Sequence, residues 1–236
     1  MAFAARSATN SLASPDNLAR WKKIDNPKCP LCSITPCTLG HLLSNCQQAL
    51  NRYEWRHNNI VKHLHSTAAS QGLEAYADLE GCRVNGVTIP ANITITGLKP
   101  DVVLINRISS PQEVTLIELT VPWESSQGLE NAIVRKDQRY QDLSEDIESH
   151  GFKCNSLQLE VGVRGYINKR NKGGLVHISK LMKVKKIQDL IKKCSKLALL
   201  GSYMIWNARH SDDWTSGGFL KPYICTPLQT DVLQLC

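Results

Sequence analysis

The sequence predicts an α/β fold, because two β-branched runs lie between segments with helical periodicity. The runs are Val102 to Ile105 and Val114 to Ile117, and a polar, turn-rich segment separates them. Two such runs around a break predict the two strands of a hairpin. Apolar residues at helical spacing before and after the runs predict helices that cover the sheet. With 236 residues, of which 42% are hydrophobic, the chain can build the core of one or two domains.

Three helices are predicted before the hairpin. Ser14 caps a short helix that begins at Pro15. Residues 47–70 have the apolar spacing of a longer helix. Residues 70–79 are expected to open the core of the main domain with a further helix.

A helix, a strand and a second helix are predicted after the hairpin. Residues 129–150 and 177–200 have helical spacing, and the second of these helices is rich in lysine. Residues 156–163 are predicted to form a strand. The main domain therefore has the expected order α-β-β-α-β. Residues beyond 201 are weakly patterned.

Two carboxylates belong to the predicted hairpin. Asp101 directly precedes the first strand, and Glu118 lies inside the apolar second strand. Mg²⁺ binds proteins through one or two carboxylates and can then activate a water for attack on a phosphodiester. A buried carboxylate without a partner is costly, which favours a ligand role for Glu118. The alternative is a strand-start aspartate and an exposed glutamate.

The helix after the hairpin supplies a cation. Lys136 and Tyr140 are four residues apart and share one face of that helix. A lysine facing the carboxylates can orient a water or stabilise developing negative charge. The alternatives are a solvated lysine and a core tyrosine.

The constellation of Pro100-Asp101, Glu118-Leu119-Thr120, Lys136 and Tyr140 resembles the restriction-like endonuclease of site-specific non-LTR retrotransposons. This group is a branch of the PD-(D/E)XK nucleases. Most of that superfamily places its lysine where Thr120 stands, and the retrotransposon branch moves it to the following helix. The resemblance implies a restriction-endonuclease-like core and cleavage that depends on Mg²⁺ or Mn²⁺. It also implies the Leu119 carbonyl as a further metal ligand.

Cysteines and a histidine with zinc-ligand spacing lie upstream, at Cys29, Cys32, His41 and Cys46. Structural Zn²⁺ takes four nitrogen or sulfur ligands, and Cys-x2-Cys supplies two from one tight turn. Cys37 has the right chemistry but the wrong spacing. The alternative is that these cysteines pack as small apolar residues. The segment resembles the zinc knuckle that precedes the endonuclease in the same retrotransposon proteins, and the similarity continues through the Arg52-Tyr53-x-Trp55-Arg56-His57 stretch.

Basic residues are concentrated in the last third. Residues 161–236 contain 13 Lys and Arg against 4 Asp and Glu, a net charge of +9, which favours a polyanionic partner. An ordinary solvated helix face is the alternative. The predicted DNA contacts are Arg135, Arg139, Arg164, Lys183, Lys185 and Lys186.

The cysteines indicate the compartment. Nine cysteines, an odd number, with no evident secretory signal favour reduced thiols inside the cell. No apolar run approaches the roughly 20 residues of a membrane span, so no membrane partner is expected.

Several single residues have simpler expected roles. Glu74, in the helix predicted over residues 70–79, is either a third acid of the site or a surface residue. Glu124 is expected to open the helix of Lys136. His57, His63 and His65 are expected on the surface of the long helix.

The predicted organisation has five parts. These are a tail with a short helix (1–28), the zinc knuckle (29–46), a helical linker (47–70), the endonuclease domain (71–200) and an extension (201–236).

The expected function is Mg²⁺-dependent nicking of target DNA in the nucleus, which in the family exposes a 3′ hydroxyl. DNA is the expected partner, with the element's RNA as another. The alternatives are a non-catalytic nucleic-acid-binding remnant and a zinc-stabilised protein-interaction domain. The oligomeric state stays open.

Overall fold

A computed structural model describes residues 2–83, 85–124, 140–168 and 171–210, and it has an α/β fold. A four-stranded mixed sheet is flanked by helices, as predicted for the fold class. The strands are β1 (Glu74–Ala77), β2 (Val102–Asn106), β3 (Glu113–Thr120) and β4 (Lys153–Glu160). The helices are α1 (Ala2–Ala8), α2 (Pro15–Arg20), α3 (Leu50–Ser70), α4 (described over residues 140–149), α5 (Lys172–Leu181) and α6 (Ile187–Asn207).

The sheet has the strand order β1-β2-β3-β4. β2 pairs antiparallel with both β1 and β3, whereas β3 and β4 are parallel. The predicted hairpin is therefore confirmed as β2 and β3. Val102 lies opposite Ile117, and Glu118 lies beside Gln158 of β4. The carboxyl ends of β3 and β4 consequently meet at one edge of the sheet.

The helix predicted for residues 70–79 is wrong, because this segment forms strand β1. Leu73, Ala75, Ala77 and Leu79 all pack into the same core cluster. This alternation has a period of two, which is typical of a strand and not of a helix. The pairing of β1 with β2 decides the outcome.

The single basic helix predicted for residues 177–200 is also wrong. α5 ends at Leu181 and α6 begins at Ile187. Between them, Met182 is fully buried and Lys183 has a φ of +49°, outside the helical range. No glycine or proline marks this break, so it follows from the packing of Met182 and not from a local breaker.

Both faces of the sheet are covered by apolar side chains. On one face, Val102, Leu104 and Ile117 pack with residues of α3, α5 and α6. On the other face, Val103 and Leu116 pack with residues of α4. Burial on both faces suits a sheet that contains a parallel pair. Among the helices in the described ranges, none has both the length and the apolar character needed to cross a bilayer.

Candidate metal centres

The strand register makes Asp101 and Glu118 cross-strand neighbours at one end of the antiparallel pair. Since Val102 lies opposite Ile117, the residue before Val102 stands across from the residue after Ile117. Asp101 Oδ2 accepts a hydrogen bond of 2.7 Å from the backbone N–H of Leu119. The structure therefore places the Asp101 carboxylate against the backbone of the segment that contains Glu118.

His57 reaches the same point from α3. Its Nε2 lies 3.2 Å from Asp101 Oδ2 and 3.3 Å from the carbonyl oxygen of Leu119. The expectation of a surface histidine is wrong for His57, whose side chain is only 24% exposed. His63 and His65 are half-buried as well. Helical spacing pointed to this result, because position 57 is three and seven residues before the buried positions 60 and 64.

The charge of Asp101 acts on the His57 ring. Burial is the largest single influence and lowers the pKa of His57, but the hydrogen bond and charge of Asp101 oppose it. The net result is a pKa above the ordinary value. The protonation of the His57 imidazole is therefore linked to the negative charge of the Asp101 carboxylate.

Glu118 has partners of its own. The hydroxyl of Tyr140, in α4, donates a 3.0 Å hydrogen bond to Glu118 Oε2. Tyr140 is 5% exposed, so the core alternative also describes it. Gln158 lies beside Glu118 across the parallel pair. Lys136, which the sequence predicts at this site, lies outside the described residues together with Arg135 and Arg139.

Glu160 is a buried acid that sequence reasoning missed. It ends β4 and lies beside Thr120, two residues beyond Glu118 on β3. The residue is 5% exposed, and Asn168 Nδ2 donates a 3.1 Å hydrogen bond to its carboxylate. Its position at a strand end was not a signal, because the predicted strand continued to residue 163.

Glu74 is remote from this group. It lies opposite Ile105, four positions along β2 from Asp101, a separation of about 13 Å. Its carboxylate pairs with Arg107 at 2.8 Å, and this hydrogen bond is the main cause of a lowered pKa of Glu74. Glu74 is therefore a strand residue in an ion pair, and not a third acid of the site.

Arg164 is held by two neighbours. Its Nε lies 2.8 Å from Glu124 Oε2, and its guanidinium carbon lies 4.6 Å from the centre of a Trp123 ring. The backbone N–H of Arg164 also donates to Glu124. A phosphate contact by Arg164 stays a prediction, and it has to compete with this ion pair.

The four predicted zinc ligands converge. The ligand atoms of Cys29, Cys32, His41 and Cys46 all lie within 4.8 Å of one another. The Cys29 and Cys46 sulfurs are 3.9 Å apart, and Cys32 Sγ is 3.2 Å from His41 Nε2. Tetrahedral Zn²⁺ bonds require separations of about 3.8 Å between two sulfurs and about 3.6 Å between sulfur and nitrogen. The donor set and spacing fit a structural zinc ion.

The pKa values of the cluster's ionisable groups are shifted in different directions. Burial tends to raise the pKa of Cys29, but hydrogen bonds from the backbone N–H groups of Cys32 and Leu31 and from the thiols of Cys32 and Cys46 together oppose it, and the net pKa is lowered. Burial raises the pKa of Cys46 to about 12 and lowers that of His41. A cation is thus needed to hold all the thiolates together at neutral pH.

Cys37 is fully buried beside the cluster but does not belong to the group of converging ligand atoms. Burial and the neighbouring Cys29 raise the pKa of Cys37. Cys37 thus lies outside the set of converging ligand atoms, and its exclusion from the zinc ligands stays a prediction.

Helix α3 holds the segment of residues 29–46, called here the zinc segment. The Tyr53 hydroxyl accepts from the backbone N–H of Cys46 at 3.1 Å and lies 3.0 Å from the carbonyl oxygen of Leu42. Arg56 donates to the carbonyls of Leu43 and Val121. The Arg52-to-His57 stretch singled out in the sequence therefore joins two parts of the fold. Tyr53 and Arg56 contact the zinc segment, and His57 contacts Asp101.

Three of the predicted DNA-contacting lysines share one place in the fold. Lys183, Lys185 and Lys186 lie in the connection between α5 and α6, and all three are exposed. They form a compact basic turn and not part of a helical face.

No protein-family model matches the chain, and no curated protein is significantly similar to it.

Proposed function

We propose that this chain is a divalent-metal-dependent DNA endonuclease with a structural zinc site. The observation that carries the proposal is the position of the Asp101 carboxylate. It is fixed by the Leu119 N–H, stands across the strand pair from Glu118 and faces His57. Two carboxylates opposite each other on one strand pair, together with the carbonyl of Leu119, are hard oxygen ligands suited to Mg²⁺ or Mn²⁺.

The donor set would hold one cation between the strand ends. Asp101, just before β2, and Glu118 and the Leu119 carbonyl, in β3, would supply the oxygen ligands. A cation held there would lower the pKa of a coordinated water and neutralise charge on a phosphodiester. In the proposed hydrolysis the water oxygen would bond to phosphorus, one ester P–O bond would break, and the leaving oxygen would take up a proton to give a hydroxyl and a phosphate monoester.

Two other residues are assigned supporting tasks: Tyr140 orients a metal ligand, and Lys136 acts on the water or the phosphate. Tyr140 holds Glu118 by its 3.0 Å hydrogen bond, which restricts the carboxylate to one orientation. Lys136 is assigned the task of orienting the water or stabilising charge on the phosphate. In the helix that the sequence predicts over residues 129–150, Lys136 precedes Tyr140 by about one turn, which would direct both side chains to the same side.

The binding of DNA is assigned to the basic turn. The exposed Lys183, Lys185 and Lys186 belong to a segment with a net charge of +9, and phosphate neutralisation supplies most of non-specific DNA affinity. The zinc segment is assigned a structural task here, because it packs against α3 and α6.

The test is the relaxation of supercoiled plasmid by the purified, zinc-loaded chain. Open circles should form with Mg²⁺ or Mn²⁺ and not with Ca²⁺ or chelator. Absence of nicking with every divalent ion, in a chain that still binds DNA, would contradict the proposal.

That last result would favour a second candidate, a nucleic-acid-binding protein without catalysis. The exposed basic turn of Lys183, Lys185 and Lys186 favours this candidate, since phosphate binding by these lysines does not need the carboxylates.

A further inference from the structure

Both nitrogens of the His57 ring have defined neighbours. Nδ1 lies 3.0 Å from Oδ1 of Asn58, and Nε2 faces Asp101 and Leu119. An amide oxygen only accepts hydrogen bonds, so Nδ1 bears the hydrogen. In the neutral ring Nε2 then presents a lone pair to a carboxylate oxygen and a carbonyl oxygen.

A lone pair on Nε2 would repel these two oxygens unless a positive centre lies between them. Without a cation, a proton on Nε2 fills this place and forms the hydrogen bond to Asp101 described above. A metal ion can replace that proton, and the separations also suit a metal, because adjacent ligands of an octahedral ion with bonds of 2.0–2.1 Å are about 3.0 Å apart. The observed separations from Nε2 are 3.2 Å and 3.3 Å.

Asn58, the neighbour of Nδ1, is placed as the hydrogen-bond partner of a metal-bound histidine is. A ligating imidazole almost always donates its other N–H to an oxygen, which fixes the tautomer and the ring orientation. Asn58 fulfils this role for His57. The adjacent Arg56, which is 1% exposed and hydrogen-bonded to Leu43 and Ser202, fixes this part of α3.

We propose that His57 Nε2 is a ligand of the divalent cation held by Asp101 and the Leu119 carbonyl, and that the site therefore prefers Mn²⁺ to Mg²⁺. Both ions take carboxylate and carbonyl oxygens, but Mn²⁺ is a first-row transition ion and accepts an imidazole nitrogen more readily than Mg²⁺ does. A positioning role alone is a poorer account, because the Leu119 N–H already orients Asp101 at 2.7 Å. The inference rests on the proposed function for the presence of a cation, but its test measures binding.

The test measures Mn²⁺ binding to the full, zinc-loaded chain. Titration gives the affinity, and electron paramagnetic resonance detects nitrogen ligands of the bound ion. Wild type should bind Mn²⁺ more tightly than Mg²⁺, and the bound Mn²⁺ should show coupling to an imidazole nitrogen. His57→Gln keeps a polar side chain that can reach Asp101 but is a weaker ligand. It should lose the nitrogen coupling and at least about tenfold in Mn²⁺ affinity, with a smaller loss for Mg²⁺.

Two controls make the outcome specific. His65→Gln changes another histidine of α3 whose Nε2 lies 3.1 Å from the Ala75 carbonyl, and it should behave as wild type. Asn58→Ala should weaken Mn²⁺ about tenfold by loosening the ring. Equal thermal unfolding of the variants would exclude misfolding as the cause.

The measurements separate a failure of the His57 assignment from a failure of the nuclease proposal. Mn²⁺ that binds wild type without nitrogen coupling, and is lost in Asp101→Ala, would overturn the role of His57 and leave the nuclease proposal standing. Failure of wild type to bind Mn²⁺ at this site would overturn both. Equal loss of Mn²⁺ and Mg²⁺ affinity in His57→Gln would reduce His57 to a positioning residue.

Discussion

Arg56 donates a hydrogen bond to the carbonyl of Leu43 at 2.9 Å, and this contact joins α3 to the zinc segment. The same guanidinium nitrogen donates to Ser202 of α6 at 2.9 Å. Burial is the main cause that lowers the pKa of Arg56, to about 10. The residue that follows is His57, which contacts Asp101. Two consecutive residues of α3 thus connect the zinc segment and α6 to the carboxylate of Asp101.

The close approach of α3 and α6 depends on Gly201. A Cβ atom at this position would lie 2.5 Å from Cγ of Arg56. We expect Gly201→Ala to lower the free energy of unfolding by about 1–3 kcal/mol, because the buried arginine has to shift. Urea denaturation measures this loss.

A double-mutant cycle identifies Arg56 as the cause. Gly201→Ala should cost less in an Arg56→Ala background, where the clashing atoms are absent. Gly173→Ala is the control, since that helical glycine has open space and alanine there should stabilise by about 0.5–1 kcal/mol. Additive effects of Gly201→Ala and Arg56→Ala would refute the contact.

The zinc site should stabilise more than its own segment. Residues of the zinc segment share a core cluster with Val163, Ile205 and Trp206. We therefore expect chelation to lower the unfolding temperature of the whole cooperative unit and to expose amides of α3 and α6 to hydrogen exchange.

Elemental analysis should find one zinc ion per chain in wild type. Cys46→Ser should abolish it, whereas Cys37→Ser, which removes a buried thiol outside the cluster, should retain it. Zinc lost from Cys37→Ser but kept in Cys46→Ser would show that the ligand set is wrong.

Lys136 should affect the rate of cleavage and not the affinity for the metal. Lys136→Ala should slow nicking, and Lys136→Arg should restore it poorly, because guanidinium is a planar fork and not a compact charge. Thr120 lies two residues after Glu118 on β3, so its side chain is on the same face of the sheet. Thr120→Lys should therefore partly rescue Lys136→Ala. Full activity of Lys136→Ala would return the lysine to a solvated helix face.

The basic turn should control the salt dependence of DNA binding. Each neutralised phosphate contributes about −0.9 to the slope of log K against log salt on duplex DNA. Replacing Lys183, Lys185 and Lys186 by alanine should make the slope shallower by up to about three units, equally for all sequences. The control is replacement of Lys22, Lys23 and Lys28, which are exposed near the zinc segment. Equal changes in both triple variants would indicate a general charge effect.

Local features of the site were predictable from the sequence. The hairpin follows from two β-branched runs, and the zinc ligands follow from a spacing that only a short loop can satisfy. β1 was missed although Leu73, Ala75 and Ala77 alternate, because alanine is also a good helix former.

Features set by tertiary packing were not predictable in the same way. The break after Leu181 has no glycine or proline, and it depends on the burial of Met182. His57 lies on the inner side of its helix, but only the docking of α3 against the strand ends brings it to Asp101. The two residues are 44 positions apart in the sequence, and no local pattern connects them.

Plasmid nicking by Asp101→Ala tests the central claim most directly, with DNA binding measured on the same preparation. Wild type should nick supercoiled DNA with Mg²⁺ or Mn²⁺, and Asp101→Ala should be slower by at least about 10²–10³, since losing one well-placed catalytic group typically costs that much. DNA affinity should be nearly unchanged. Asp25→Ala, which removes an exposed carboxylate before the zinc segment, should nick as wild type does. Nicking by Asp101→Ala at the wild-type rate would contradict the nuclease assignment.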